Sequence, residues 1–131
     1  MDFTVTLIDP CPTETISIDS SMLTSLPITY NIYNQPDVQV IDYGKINRSV
    51  SCITCPNIIL TVEMQDPLLS FDPDVMTYDN ATNSLTTYTN DTAKVSTYDI
   101  RISAVSVDYP TITAILDFQI IVDDPCKFAN L

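Results

Sequence analysis

The sequence predicts an all-β chain with a single core, on three observations. Stretches of strand length with alternating apolar and polar residues recur about every 8–15 positions, and no segment sustains a helical period. Thr, Ile, Val and Tyr are abundant, and these side chains suit a pleated, half-buried surface. The chain has one glycine, Gly44, in 131 residues, so its turns fall to nine prolines and to the many Asn and Asp residues. An apolar content of 45% suffices for one core in a chain of this length.

The elements follow in order. Residues 3–8 alternate Phe3, Val5 and Leu7 against Thr4 and Thr6, and Asp9-Pro10-Cys11-Pro12 ends the strand because proline cannot donate to a ladder. Residues 13–19 turn Ile16 and Ile18 inward, and 20–27 form a turn-rich connection with a short helical turn around 21–25. Ile28, Tyr30 and Ile32 mark the next strand, followed by a turn at 34–36 and a short strand at 37–42 carrying Val38 and Val40. Residues 43–56 read as the longest irregular stretch. The strongest buried strand is 57–65, with Ile58, Leu60, Val62 and Met64 on one face. Residues 67–71 lead to a strand at 75–78, a turn at 79–83 and a strand at 84–89. In 97–105, Tyr98, Ile100, Ile102 and Ala104 face in while Thr97, Asp99, Arg101 and Ser103 face out. A turn at 107–110 precedes the closing strand, 113–122.

One stretch occurs twice. Residues 2–11 read D-F-T-V-T-L-I-D-P-C and residues 117–126 read D-F-Q-I-I-V-D-D-P-C, with five of ten positions identical and the apolar alternation kept. The copies lie 115 positions apart, about one β-sandwich domain. The expected organisation follows. Residues 1–11 are the final strand and junction of a preceding unit, or a donor strand to a neighbour, with Phe3, Val5 and Leu7 as the insert. Residues 12–126 form the unit itself, and 127–131 begin the next unit or form a tail.

Composition excludes several function classes. A net charge of −12, with only Lys45, Arg48, Lys94, Arg101 and Lys127 basic, opposes binding to nucleic acid and to anionic membranes. Histidine is absent, which removes the commonest general base and metal ligand, and one glycine cannot build a phosphate-binding loop. No enzyme is expected. No apolar run approaches the roughly 20 residues of a membrane span, and no signal peptide is visible at the start, so a secreted product would be a mature or internal fragment.

Four sets of residues could carry chemistry. Cys52-x-x-Cys55 has the spacing of a redox motif or zinc half-site, and Cys11, Cys52, Cys55 and Cys126 could together make a thiolate zinc site. Pro56 and the β-rich flanks oppose the redox setting, and disulfides are the expectation. In a tandem array each period holds three cysteines, so one is unpaired or bonds elsewhere. In a separate subunit Cys11 and Cys126 would each bond one of Cys52 and Cys55, since a Cys52–Cys55 bond constrains the unfolded chain least. Asn47-Arg48-Ser49, Asn80-Ala81-Thr82 and Asn90-Asp91-Thr92 are glycosylation sequons, each expected in a loop or turn. Asp72, Asp74, Asp123 and Asp124 are candidate calcium ligands, set against plain turn carboxylates; otherwise no cofactor is expected. Tyr33, Tyr43, Tyr88 and Tyr109 fall near turns or outward faces and suit either a contact patch or core-edge packing.

The order S-F-D-P (70–73), T-Y-D-N-A-T-N-S-L (77–85), S-T-Y-D-I-R-I-S-A (96–104) and L-D-F-Q-I-I-V-D-D (116–124) resembles dystroglycan-type cadherin-like and immunoglobulin-like repeats over roughly residues 66–124. It is also similar to D-P-C-punctuated arrays in large surface proteins of ciliates and other protists. Ser96 stands where that family usually has glycine, and the inter-repeat calcium signatures of classical cadherins are absent as a set, so calcium binding does not carry over. The resemblance implies an immunoglobulin/cadherin-like Greek-key sandwich of seven or eight strands. The expected function is a structural repeat unit of an extracellular, glycosylated, disulfide-stabilised fibre or surface filament, self-associating or in tandem, with strand sharing at each junction and N-linked glycans on its sides. The alternative is a calcium-dependent or carbohydrate-directed cell-surface adhesion module.

Overall fold

In the computed structural model the described residues are 1–23, 26–49, 57–65, 68–69 and 72–126. They form ten strands: β1 (Ile16–Ile18), β2 (Ile28–Asn31), β3 (Asp37–Val40), β4 (Ile46–Arg48), β5 (Ile58–Gln65), β6 (Leu68–Leu69), β7 (Met76–Asp79), β8 (Ser84–Thr87), β9 (Ser96–Ser106) and β10 (Thr113–Asp123). Their arrangement is an all-β fold of three sheets. A five-stranded sheet runs β2-β10-β9-β5-β6, a three-stranded sheet runs β3-β8-β7, and β1 and β4 make a two-stranded ribbon.

The two larger sheets share one core. Ile28 and Tyr30 of β2, Leu60 and Val62 of β5, Ile100, Ile102 and Ala104 of β9, and Phe118, Ile120 and Val122 of β10 meet Met76 of β7 and Leu85 of β8 in one buried cluster. Alternation explains who faces in: along a strand every second side chain shares a face, and these are the apolar members of each alternating stretch. β10 lies inside its sheet, between β2 and β9. It pairs antiparallel with β9, setting Phe118 opposite Ile100 and Val122 opposite Ser96, and parallel with β2, setting Ile120 opposite Ile28 and Val122 opposite Tyr30.

Aspartate makes the turns that glycine would make elsewhere. Asp9, Asp19, Asp42, Asp72, Asp79, Asp91 and Asp124 each accept, through Oδ1, the backbone N–H two residues on. Such a side chain mimics a backbone turn and tolerates an L residue there. Much of the negative charge is therefore spent on chain direction.

Two expectations change and one is met. The irregular stretch 43–56 contains a strand, β4, which three residues are too few to announce by periodicity; it exists because Ile16, Ser17 and Ile18 of β1 lie opposite Arg48, Asn47 and Ile46. The helical turn expected around 21–25 is a 3-10 turn at Ser20–Met22, started by the Asp19 carboxylate. Residues 3–8 are not in a strand, and their apolar side chains are exposed. The equivalent place in this unit is already taken by β10.

Candidate functional site

The two copies of the repeated stretch have opposite environments. Phe118, Ile120 and Val122 are 6%, 0% and 1% exposed, whereas their counterparts Phe3, Val5 and Leu7 are 81%, 69% and 92% exposed. Contiguous apolar side chains left in water are the kind of surface that interaction sites use. The insert residues thus lie away from the core that their copies fill.

The D-P-C turns that end the copies share a local geometry. Asp9 Oδ1 accepts the Cys11 N–H at 3.0 Å, and Asp124 Oδ1 accepts the Cys126 N–H at 2.8 Å. Their surroundings differ. Cys11 is 4% exposed and disulfide-bonded. The Tyr109 hydroxyl, on the hairpin between β9 and β10, donates to Asp9 Oδ2 at 3.3 Å; burial first and then this carboxylate push the Tyr109 phenol up from its ordinary value. Cys126 is exposed and its thiol is free. The arrangement in which both terminal cysteines are bonded within one chain is therefore not the one adopted: Cys126 lies beyond the last strand, outside the core. Cys52 and Cys55 lie outside the described residues.

A clamp secures the chain just after Cys11. Arg48 of β4 makes a two-pronged contact with Glu14, through Nε to Oε1 and through Nη2 to Oε2 at 2.7 Å. Beside it the Thr15 N–H donates to Ser49 Oγ at 2.8 Å, and the Ser49 N–H donates to Thr15 O at 2.9 Å. The guanidinium holds the Glu14 carboxyl below the usual carboxylate range by hydrogen bonding, against the opposing effect of burial. Neither Tyr109–Asp9 nor Arg48–Glu14 carries a local sequence signal, because the partners are 100 and 34 positions apart.

The three sequon asparagines are exposed. Asn80 lies in the β7–β8 turn and Asn90 follows β8, as expected, but Asn47 sits within β4 rather than in a loop. Asn90 also has a structural part: its Oδ1 accepts the Tyr33 N–H at 3.0 Å, and its Nδ2 donates to the Tyr88 hydroxyl at 3.1 Å. Tyr33 has a φ of 73°, a strained value for a side chain of its size, and this contact helps to hold it. Two of the four turn tyrosines are thereby brought together around one sequon.

The acidic candidates serve turns. Asp72 receives Lys94 Nζ at 2.6 Å and the Asp74 N–H at 3.0 Å, and Lys94 holds its carboxyl low. Asp123 Oδ1 accepts the Asp124 N–H at 3.0 Å. Among the described residues no group of three or more acidic, cysteine or histidine side chains could hold a metal ion, and none of the described helices is long and apolar enough to cross a membrane. No protein-family model matches the chain, and no curated protein matches it.

Proposed function

We propose that this chain is a structural, non-catalytic unit of an extracellular, glycosylated fibre or surface filament, joined to its neighbours end to end. The carrying observation is the exposed Phe3-Val5-Leu7 face, which repeats the buried face of β10. Residues 2–8 are then the closing half-strand of a preceding unit, where burying these three side chains would contribute about 1.5–3 kcal/mol each. A second copy of the present chain would have to displace its own residues 118–122 to accept them. Covalent succession of units is therefore the simpler form of strand sharing, and exchange between separate chains is the costlier one.

An immunoglobulin/cadherin-like sandwich is the fold we assign to the unit. At the start of β9 the Tyr98 hydroxyl donates to the Lys94 carbonyl four residues upstream, at 2.7 Å. A tyrosine reaching back in this way at a strand corner is a recurrent feature of Greek-key sandwiches and supports the assignment.

Multi-unit chains test the reading directly. Units joined by linking Cys126 to Pro12 of the next copy should form a linear particle. Its maximum dimension in small-angle scattering should grow by about 40 Å per unit, since an 11-residue strand spans about 37 Å. Added units that fold back beside the first would contradict it. Expressed through a eukaryotic secretory pathway, the chain should lose mass on enzymatic deglycosylation. Stepwise replacement of Asn47, Asn80 and Asn90 by Gln should remove that loss in steps, whereas a mass indifferent to deglycosylation would remove the glycoprotein part of the reading.

A further inference from the structure

The terminal turns lie at opposite ends of β10. Asp9-Pro10-Cys11 is anchored at Tyr109, four residues before β10 begins, and Asp124-Pro125-Cys126 emerges directly after β10 ends at Asp123. At the first end the turn is received: a hydroxyl donates to its aspartate, its cysteine is buried and bonded, and the clamp of Glu14 with Arg48 follows. At the other end the same turn, with the same internal hydrogen bond, projects with an exposed free thiol.

We infer that Asp124-Pro125-Cys126 is the plug of a directional joint, and that its socket is the end of a following unit carrying Tyr109 and the cysteine that bonds Cys11. The inference rests on the fibre reading and adds the polarity and the contacts of the joint. In the joined chain Cys126 occupies the place of the next unit's Cys11, the Asp124 carboxylate accepts from that unit's Tyr109 hydroxyl, and the Cys126 sulfur enters a disulfide. Two thiols form one S–S bond there; the two electrons and two protons pass to a small-molecule disulfide such as oxidised glutathione, which leaves as two thiols. Because one end differs from the other, the contact is heterologous and propagates head to tail instead of closing as a symmetric pair.

The three-cysteine period is consistent with this joint. Cys126 need not find a partner within its own unit, because the following unit supplies one.

The test uses a two-unit chain, residues 1–126 followed directly by residues 12–131, folded in a glutathione redox buffer beside the single chain. Alkylation and non-reducing peptide mapping should show Cys126 reactive in the single chain and disulfide-linked to the second unit in the pair. Tyr109→Phe in the second unit, or Asp124→Asn in the first, should loosen the joint, seen as a broader distribution of inter-unit distances between spin labels while both units keep their melting temperatures. A Cys126 that stays alkylatable in the pair, or a distance distribution unmoved by both substitutions, overturns the inference. If in that case the pair is still elongated, the fibre reading survives without this joint; a pair folded side by side sinks the fibre reading itself.

Discussion

Replacing residues 119–122 of β10 by those of the amino-terminal copy (Gln119→Thr, Ile120→Val, Ile121→Thr and Val122→Leu) should leave a cooperatively folded chain, whereas inverting the alternation should unfold it. In the first variant Phe118 stays, Ile120→Val removes one buried methylene at about 0.5–1.5 kcal/mol, and Val122→Leu adds one at a cost of about 1–3 kcal/mol. The other two changes fall on the outward face, since Gln119 is exposed and Ile121 half-buried. The inverted variant (Phe118→Thr, Gln119→Phe, Ile120→Thr, Ile121→Val, Val122→Thr) puts hydroxyls where Ile100 and Tyr98 of β9 and Ile28 and Tyr30 of β2 now meet apolar groups. Losing three buried side chains costs about 4.5–9 kcal/mol before the hydroxyls are desolvated, which rivals the roughly 5–15 kcal/mol that holds a domain together. Urea titration separates the two outcomes. An in-register variant as unfolded as the inverted one would mean that residues 3–7 are not a closing-strand sequence, and the strand-sharing reading would fall with them.

The second large effect is expected at the clamp. Arg48→Met should destabilise the chain by about 2–4 kcal/mol at pH 7, because it leaves a buried carboxylate without its partner. The Glu14 side chain is wholly covered, while that of Arg48 keeps about a quarter of its exposure. The sign of the pH dependence follows from the lowered Glu14 value. A carboxyl depressed in the folded state stabilises the protein above its unfolded value, ordinarily 4.5, and that contribution is lost as the pH falls through the folded value. The penalty of Arg48→Met should therefore be smaller at a pH below the ordinary carboxylate value of 4.5 than at pH 7, because burial raises the carboxyl of an orphaned Glu14 and it takes up a proton. Glu14→Gln combined with Arg48→Met should recover much of the loss at pH 7, as a neutral pair needs no counter-charge. Thermal melts at the two pH values read both effects; a penalty that does not change between them would show that the contact acts by packing instead of charge.

The clamp and the plug differ in how they could have been found. Cys126 and Asp124 were legible because the second copy of D-P-C stands in the sequence, and comparing the copies needs no structure. Glu14 was not, since an acidic residue after a proline turn reads as solvated surface until β4 brings Arg48 to it. Tyr109 read only as a turn tyrosine, because what gives it a role is an aspartate 100 positions earlier.

By itself the sequence determined the all-β class, the inward faces of β5, β9 and β10, and aspartate as the turn-maker, because each follows from neighbours within a few residues. Alternation with period two sets which side chains share a face, and an Asx turn closes over two residues. Tertiary structure decided the rest. It created β4, a strand too short to predict, by setting it opposite β1. It buried Glu14, and it placed one of two nearly equivalent stretches in the sheet and left the other outside it. The pattern in residues 3–8 says what those side chains need to be buried against, and only the fold says that β10 already fills that position here. The amino-terminal copy is consequently left exposed.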